Sequence, residues 1–140
     1  MRAFYANAFP KLEHRPIWFG PKKRALIASD FRAVVARCGY RVWACFIGAN
    51  HCHLCIRKHR DRYETMWNNF TGQTRTTFAA LGLIDPAHPL WAQRPYSVFC
   101  LNPTDIRRTI AYIEANAAKE GLPPQTWDFV LPYDGWPLKK

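Results

Sequence analysis

Apolar residues recur at helical spacing twice in the first half of the chain. Leu26, Ile27, Phe31, Val34, Val35 and Cys38 fall on one stripe, with Pro21-Lys22-Lys23 before them and Gly39 after. Proline opens helices and glycine closes them, so the pattern predicts a helix from about Pro21 to Cys38. Tyr63, Met66, Trp67, Phe70, Thr74, Thr77, Phe78 and Leu81 form a second stripe with Gly82 beyond it. It predicts a helix over roughly Arg62 to Leu81. Gly72 lies inside that stripe, costs ~1 kcal/mol relative to alanine and is a candidate bend. Between the stripes, Tyr40 to Ile47 is dense in β-branched and aromatic residues and Gly48-Ala49-Asn50 has turn chemistry. His51 to Arg57 then returns as the second arm of a hairpin.

The pattern is weaker elsewhere. Phe4 to Phe9 reads as a short strand, but Pro10, Pro16 and Pro21 interrupt the stretch after it, leaving residues 1–20 the least regular part. Ile84 to Pro89 reads as a loop, and Leu90 to Leu101 as one strand or two short ones interrupted by Pro95. Ile106, Ile110, Ile113 and Ala117 are spaced for a third helix. Thr104 would be its N-cap, its end near Glu120, and Gly121, Pro123 and Pro124 its stop. The segment after Gln125 holds Trp127, Phe129, Tyr133 and Trp136 with no period. Neither a repeat nor a linker divides the chain, so residues 1–140 read as one domain. Helices alternating with hairpin strands imply an α+β fold, an antiparallel sheet with helices packed on it.

Composition narrows the class. At 140 residues and 49% hydrophobic, the chain has material for a buried core and is unlike a disordered segment. Twenty Lys and Arg against ten Asp and Glu give a net charge of +10, which favours a polyanionic partner. Charge alone does not separate nucleic acid from an anionic membrane surface. The start, Met1-Arg2-Ala3-Phe4-Tyr5, opens no secretory apolar region, and no apolar run approaches a membrane span. A cytoplasmic protein without a membrane partner is expected. Five cysteines, an odd number scattered through apolar segments, read as reduced thiols. Six tryptophans suit either a tryptophan-rich core or stacking on unpaired bases.

Two short motifs carry chemistry. Side chains alternate along a strand, so His51, His53, Cys55 and Arg57 share one face while Cys52, Leu54 and Ile56 share the other, an apolar row suited to a core. On the late helix, Arg108, Tyr112 and Asn116 form a ridge at i, i+4 and i+8. If strand and helix meet, two imidazoles, an amide oxygen and a phenol converge, a set able to hold a divalent cation beside a nucleophilic hydroxyl. Each residue also has an ordinary explanation: strand histidines bonded to neighbours, a core-edge tyrosine, a surface amide. Cys52 and Cys55 have the C-x-x-C spacing of zinc sites, yet an extended strand turns them to opposite sides. A non-catalytic RNA- or DNA-binding module would need neither Tyr112 nor a metal.

The ordered set Tyr40-Arg41-Val42-Trp43-Ala44, Asn50-His51-Cys52-His53-Leu54, Leu90-Trp91 and Tyr112-Ile113-Glu114-Ala115-Asn116 resembles the single-tyrosine HUH transposases, specifically the REP-associated tyrosine transposases. The resemblance covers roughly Ala25 to the C-terminus. It implies a ferredoxin-like or RRM-like core with His-x-His on a central strand. It implies Tyr112 as the nucleophile forming a 5′-phosphotyrosine, with Mg²⁺ or Mn²⁺ held by His51, His53 and Asn116. The substrate implied is single-stranded DNA with hairpin-forming repeats, and the state a monomer or a homodimer. Arg57, Lys58, Arg60, Arg62, Arg75 and Arg108 are the candidate DNA-binding residues, against the plainer reading of a solvated face. Three departures stand out: Phe4 to Phe9 is a poor version of the family's first central strand, Ala49 replaces a proline before the first histidine motif, and Ala117 replaces the proline after the amide. A catalytically inactive nucleic-acid-binding module derived from such a transposase is the alternative.

Overall fold

The computed structural model describes residues 2–7, 17–91, 96–100 and 102–137. Both early helices form where the stripes place them. Helix α1 spans Pro21–Cys38, buries Ile27, Ala28, Phe31 and Val34, and ends at Gly39 in the left-handed conformation (φ 70°) that glycine adopts without strain. Helix α2 spans Tyr63–Ala80, buries Met66, Trp67, Phe70, Thr74 and Phe78, and runs through exposed Gly72 without interruption. The two helices pack side by side, with the Phe31 and Phe70 rings 4.9 Å apart and Thr77 Oγ1 donating to Asp30 Oδ1 at 2.9 Å.

The sheet has four antiparallel strands in the order β2-β3-β1-β4, where β1 is Arg2–Asn7, β2 Val42–Ile47, β3 His51–Ile56 and β4 Tyr96–Phe99. The element order β1-α1-β2-β3-α2-β4 with β1 and β3 at the centre is the ferredoxin-like arrangement. The first strand therefore departs from the sequence expectation. It begins two residues earlier, at Arg2, and is paired on both sides, with β3 from Arg2↔Ile56 to Asn7↔His51 and with β4 from Arg2↔Phe99 to Tyr5↔Tyr96. Ladders on both edges stabilise a segment whose alanines and asparagine have modest strand propensity. Residues 8 and 9 of the expected strand, and the breakers Pro10, Pro16 and Pro95, lie outside the described residues. Among the described residues of the predicted strand region Leu90–Leu101, Tyr96–Phe99 is strand, and Leu90 and Trp91 sit in the loop after α2. Both are buried in the α1/α2 core, and Trp91 Nε1 donates to Thr74 Oγ1 at 2.8 Å.

Two apolar clusters cover the two faces of the sheet. Cys52, Leu54 and Ile56 join Val42 and Ile47 beneath α1 and α2, whereas Cys55 joins Trp43, Ala44 and Phe46 on the opposite side. Burial on both faces explains why β2 reads as a continuous apolar run rather than an alternation. A register shift between Val42 and Ala44 makes Trp43 an extra residue, and Trp43 and Ala44 consequently face the same cluster.

Helix α3, Pro103–Glu114, lies over that second face with Ile106 and Ile113 buried. Its N-cap is Asn102 rather than Thr104: Asn102 Oδ1 accepts from the Asp105 N–H at 2.9 Å and Pro103 opens the helix. The predicted single helix to Glu120 is also interrupted, α4 being Asn116–Lys119. At the break, Asn116 Nδ2 donates to the Tyr112 carbonyl at 2.8 Å, a side-chain intrusion into the i→i−4 ladder. The segment after Gln125 then crosses the β2 edge, where Val130 bridges Val42 in parallel and Tyr133 packs on Trp43 at 4.6 Å. Among the described residues, no helix is long and apolar enough to cross a membrane.

Candidate active site

The β2–β3 hairpin turn sets where the histidines begin. Gly48 N–H donates to the His51 carbonyl at 2.7 Å, and Phe19 N–H reaches the Ala49 carbonyl at 2.6 Å. A Cβ at Gly48 would stand 2.9 Å from the Phe46 ring and 3.2 Å from Glu120 Oε1, so a side chain there would displace both. From this fixed start, alternation along β3 turns His51, His53 and Cys55 toward α3, the face expected from the sequence.

Three residues from the two motifs meet there, His51, His53 and Tyr112. The His51 and His53 rings are 5.4 Å apart, and the His53 and Tyr112 rings 5.8 Å apart, both edge to face. Phe46 packs beside both imidazoles. Asn116, one turn after Tyr112, is 6% exposed. Its Nδ2 is engaged with the Tyr112 carbonyl, which leaves the amide oxygen as the atom able to ligate a cation. Tyr112 itself is 51% exposed, so its side chain is reachable from solvent.

His53 is held neutral. Burial, followed by the neighbouring His51 charge, lowers its pKa to about 4. A neutral imidazole keeps the lone pair that metal ligation requires. This has a consequence for stability in the ion-free protein. The unfolded chain binds a proton at His53 below pH 6.5, and the folded chain only near pH 4. Folding is therefore disfavoured progressively as pH falls through that window, by on the order of 3 kcal/mol at its acid end, and the term vanishes above it. Thermal melts of the wild type and His53→Gln are expected to diverge between pH 6.5 and 4, with the wild type losing more stability; parallel profiles would remove the burial argument.

Other donors are arranged less simply. His51 Nδ1 lies 2.8 Å from Asn50 Oδ1, and His51 Nε2 lies 2.9 Å from Glu120 Oε2. Among the described residues, no three His, Cys, Asp or Glu side chains are grouped to hold an ion, so the Asn116 amide is needed for the donor set the sequence suggested. Two imidazoles and an amide oxygen suit Mn²⁺ or Mg²⁺ completed by water, and His53 and Asn116 are buried with the required chemistry. Zinc through C-x-x-C does not fit: Cys52 and Cys55 belong to opposite clusters, and burial raises both thiols.

No protein-family model and no curated protein matches the sequence. Among solved structures, the chain is similar to a REP-associated tyrosine transposase bound to a REP hairpin. The TM-score is 0.66 at 20% identity, covering 91% of this chain and 73% of that one. The two chains share an α+β fold. At this identity the likeness establishes architecture, and the chemistry rests on the residues.

The basic candidates are not gathered around Tyr112. Arg108 is exposed on α3 one turn before it. Arg57 leaves the far end of β3, its Nε 3.0 Å from Asp134 Oδ2, a carboxylate that also pairs with Arg41 at 3.2 Å. Lys58, Arg60 and Arg62 follow at that same end, exposed, with Arg62 3.9 Å from Glu64. Arg75 is exposed on α2, on the other side of the sheet from α3. Two charged residues escaped the sequence reading. Lys119 Nζ stands 4.6 Å from the Tyr112 ring centroid, and Glu120 contacts His51. The signal was available: the ridge Arg108, Tyr112, Asn116 reaches Glu120 when extended by one turn, and Lys119 is seven residues after Tyr112.

Proposed function

We propose that this protein is a single-tyrosine transposase of the REP-associated kind, a metal-dependent single-stranded DNA endonuclease and strand transferase acting on hairpin-forming repeats. The observation that carries the reading is the convergence of His51, His53 and Tyr112, drawn from a strand and a helix about sixty residues apart, on one sheet face. The similar solved structure, a REP-associated tyrosine transposase bound to a REP hairpin, supports it independently of those residues.

In this reading the Tyr112 oxygen attacks a backbone phosphorus in line. An O–P bond to tyrosine forms, the P–O3′ bond breaks, the phenolic proton passes to solvent and the 3′ oxygen takes one up. The product is a 5′-phosphotyrosine with a free 3′-OH, and because the phosphodiester energy is conserved, rejoining needs no nucleotide cofactor. A phenol is a weak nucleophile at neutral pH, so the reaction depends on charge stabilisation at the phosphate. His51, His53 and Asn116 would hold Mg²⁺ or Mn²⁺, which when bound polarises a non-bridging phosphate oxygen. Lys119, lying over the Tyr112 ring, places a second positive charge beside the reacting phosphate. Packing of His53 against Phe46 and Tyr112 fixes the imidazole before substrate arrives.

The test is direct. Incubation with end-labelled, hairpin-tailed single-stranded DNA and Mn²⁺ should yield a protein–DNA adduct that survives denaturing electrophoresis and disappears with excess EDTA. A protein that binds the hairpin but never forms the adduct across hairpin sequences would be the inactive binding module instead.

A further inference from the structure

We propose that Gln125 is a positioning residue for strand cleavage, tying the helix that carries Tyr112 to the hairpin that carries His51 and His53. The role rests on the transposase reading and adds to it a part that touches neither DNA nor metal.

The tie is a side chain acting as a strand. β2 is an outer strand of the sheet, so the backbone groups on its free side need partners from elsewhere. At its start Val130 bridges Val42. At its end the Ile47 N–H donates to Gln125 Oε1 at 2.9 Å, and Gln125 Nε2 donates to the Ile47 carbonyl at 2.7 Å. A primary amide has a donor side and an acceptor side, and here both are spent on one residue, as a neighbouring strand would do. Ile47 is a sensitive place to hold. It lies opposite Cys52, between the two histidines, and Gly48 after it donates its N–H to the His51 carbonyl.

The other end of the tie is stiff. Asn116 Nδ2 joins α4 to the Tyr112 carbonyl, and Gly121 at φ 68° closes α4. The Leu122 N–H donates to the Ala117 carbonyl at 2.8 Å, and Leu122 packs on the cluster that holds Ile113 and Ala117. Pro123 and Pro124 then fix two successive φ angles before Gln125. Few free rotations separate the end of α4 from the amide, so the placement of Ile47 and that of the tyrosine helix are coupled. Packing of Ile106 and Ile113 holds α3 on the sheet but is non-directional, whereas the paired hydrogen bonds have a direction. In-line attack feels such a shift, a displacement of about 1 Å costing on the order of 100-fold.

The experiment uses the full chain, hairpin-tailed single-stranded DNA at saturation and Mn²⁺, and reads the single-turnover rate of adduct formation. Gln125→Met keeps the length of the side chain and deletes both hydrogen bonds. It is expected to slow adduct formation at least about tenfold while hairpin affinity stays within about twofold, the split that misplaced chemistry gives. An unchanged rate would leave Gln125 as a cover for the sheet edge and overturn the proposal. Rate and affinity falling by the same factor would also overturn it. Gln125→Glu keeps the acceptor, removes the donor and should show the same split; if neither variant folds, Gln125 is a stability residue and the proposal is lost. A measurement without DNA reads the tie itself: nuclear Overhauser contacts between the His53 and Tyr112 rings should weaken in Gln125→Met, and undiminished contacts would overturn the proposal. No adduct from the wild type would instead sink the transposase reading, and the positioning role with it.

Discussion

Tyr112→Phe is expected to remove the covalent protein–DNA adduct, lowering strand cleavage at least about 1000-fold while leaving hairpin affinity within about twofold. The substitution deletes one oxygen and keeps the ring that packs edge to face on His53 and lies beneath Lys119. Fold and electrostatics around the site are retained, since the ring stays in place and is half exposed. Only the nucleophile is lost. Denaturing gels report the adduct and mobility shifts report binding, so both quantities are read on the same DNA. An adduct of undiminished yield would show that another side chain attacks, and would reduce the meeting of His53 and Tyr112 to packing. A parallel loss of binding would mean that the phenol holds DNA rather than cuts it.

Phe4→Pro should strongly destabilise the fold. Phe4 lies at the middle of β1, opposite Leu54 of β3 and Ser97 of β4. Proline cannot donate to either ladder, and a central strand offers no solvent-facing edge to accommodate it. The lost ladder bond leaves a partner carbonyl unpaired, which costs about 1–3 kcal/mol before any distortion of the two ladders, a large share of the roughly 5–15 kcal/mol typical of such domains. Because β1 joins β3 to β4, disrupting it also detaches β4 from the strand that carries the histidines. Circular dichroism and thermal melts check this. A melt within a few degrees of the wild type would mean that β1 is peripheral and that the sequence reading, a poor first strand, was the better description.

Legibility varied with how local the determining physics was. The stripes over α1 and α2 repeat the same chemistry every turn and end at Gly39 and beyond Ala80, so periodicity alone placed them closely. The faces of β3 followed from alternation, which no tertiary contact can change without slipping the register. β1 was harder, because its stability comes from two partners distant in sequence rather than from its own residues. Thr104 looked like the cap of α3, yet Asn102, immediately before Pro103, takes that place, a choice made by which side chain reaches the Asp105 N–H. The break at Ala115 was also unreadable from spacing, since it depends on the Asn116 amide folding back on the Tyr112 carbonyl.

The amino-acid order by itself determined the α+β class, the helical stripes, the shared face of His51 and His53, and the ridge that carries Tyr112 and Asn116, because each follows from a backbone period of about 2 or 3.6 residues. Whether that face and that ridge meet was decided only when α3 packed its Ile106 and Ile113 on Phe46 and Cys55, bringing Tyr112 to His53. The partners of the charged residues were decided the same way: Asp134 for Arg57, Glu120 for His51. Such pairings join residues tens of positions apart, and a periodicity that repeats every few residues carries no information at that range.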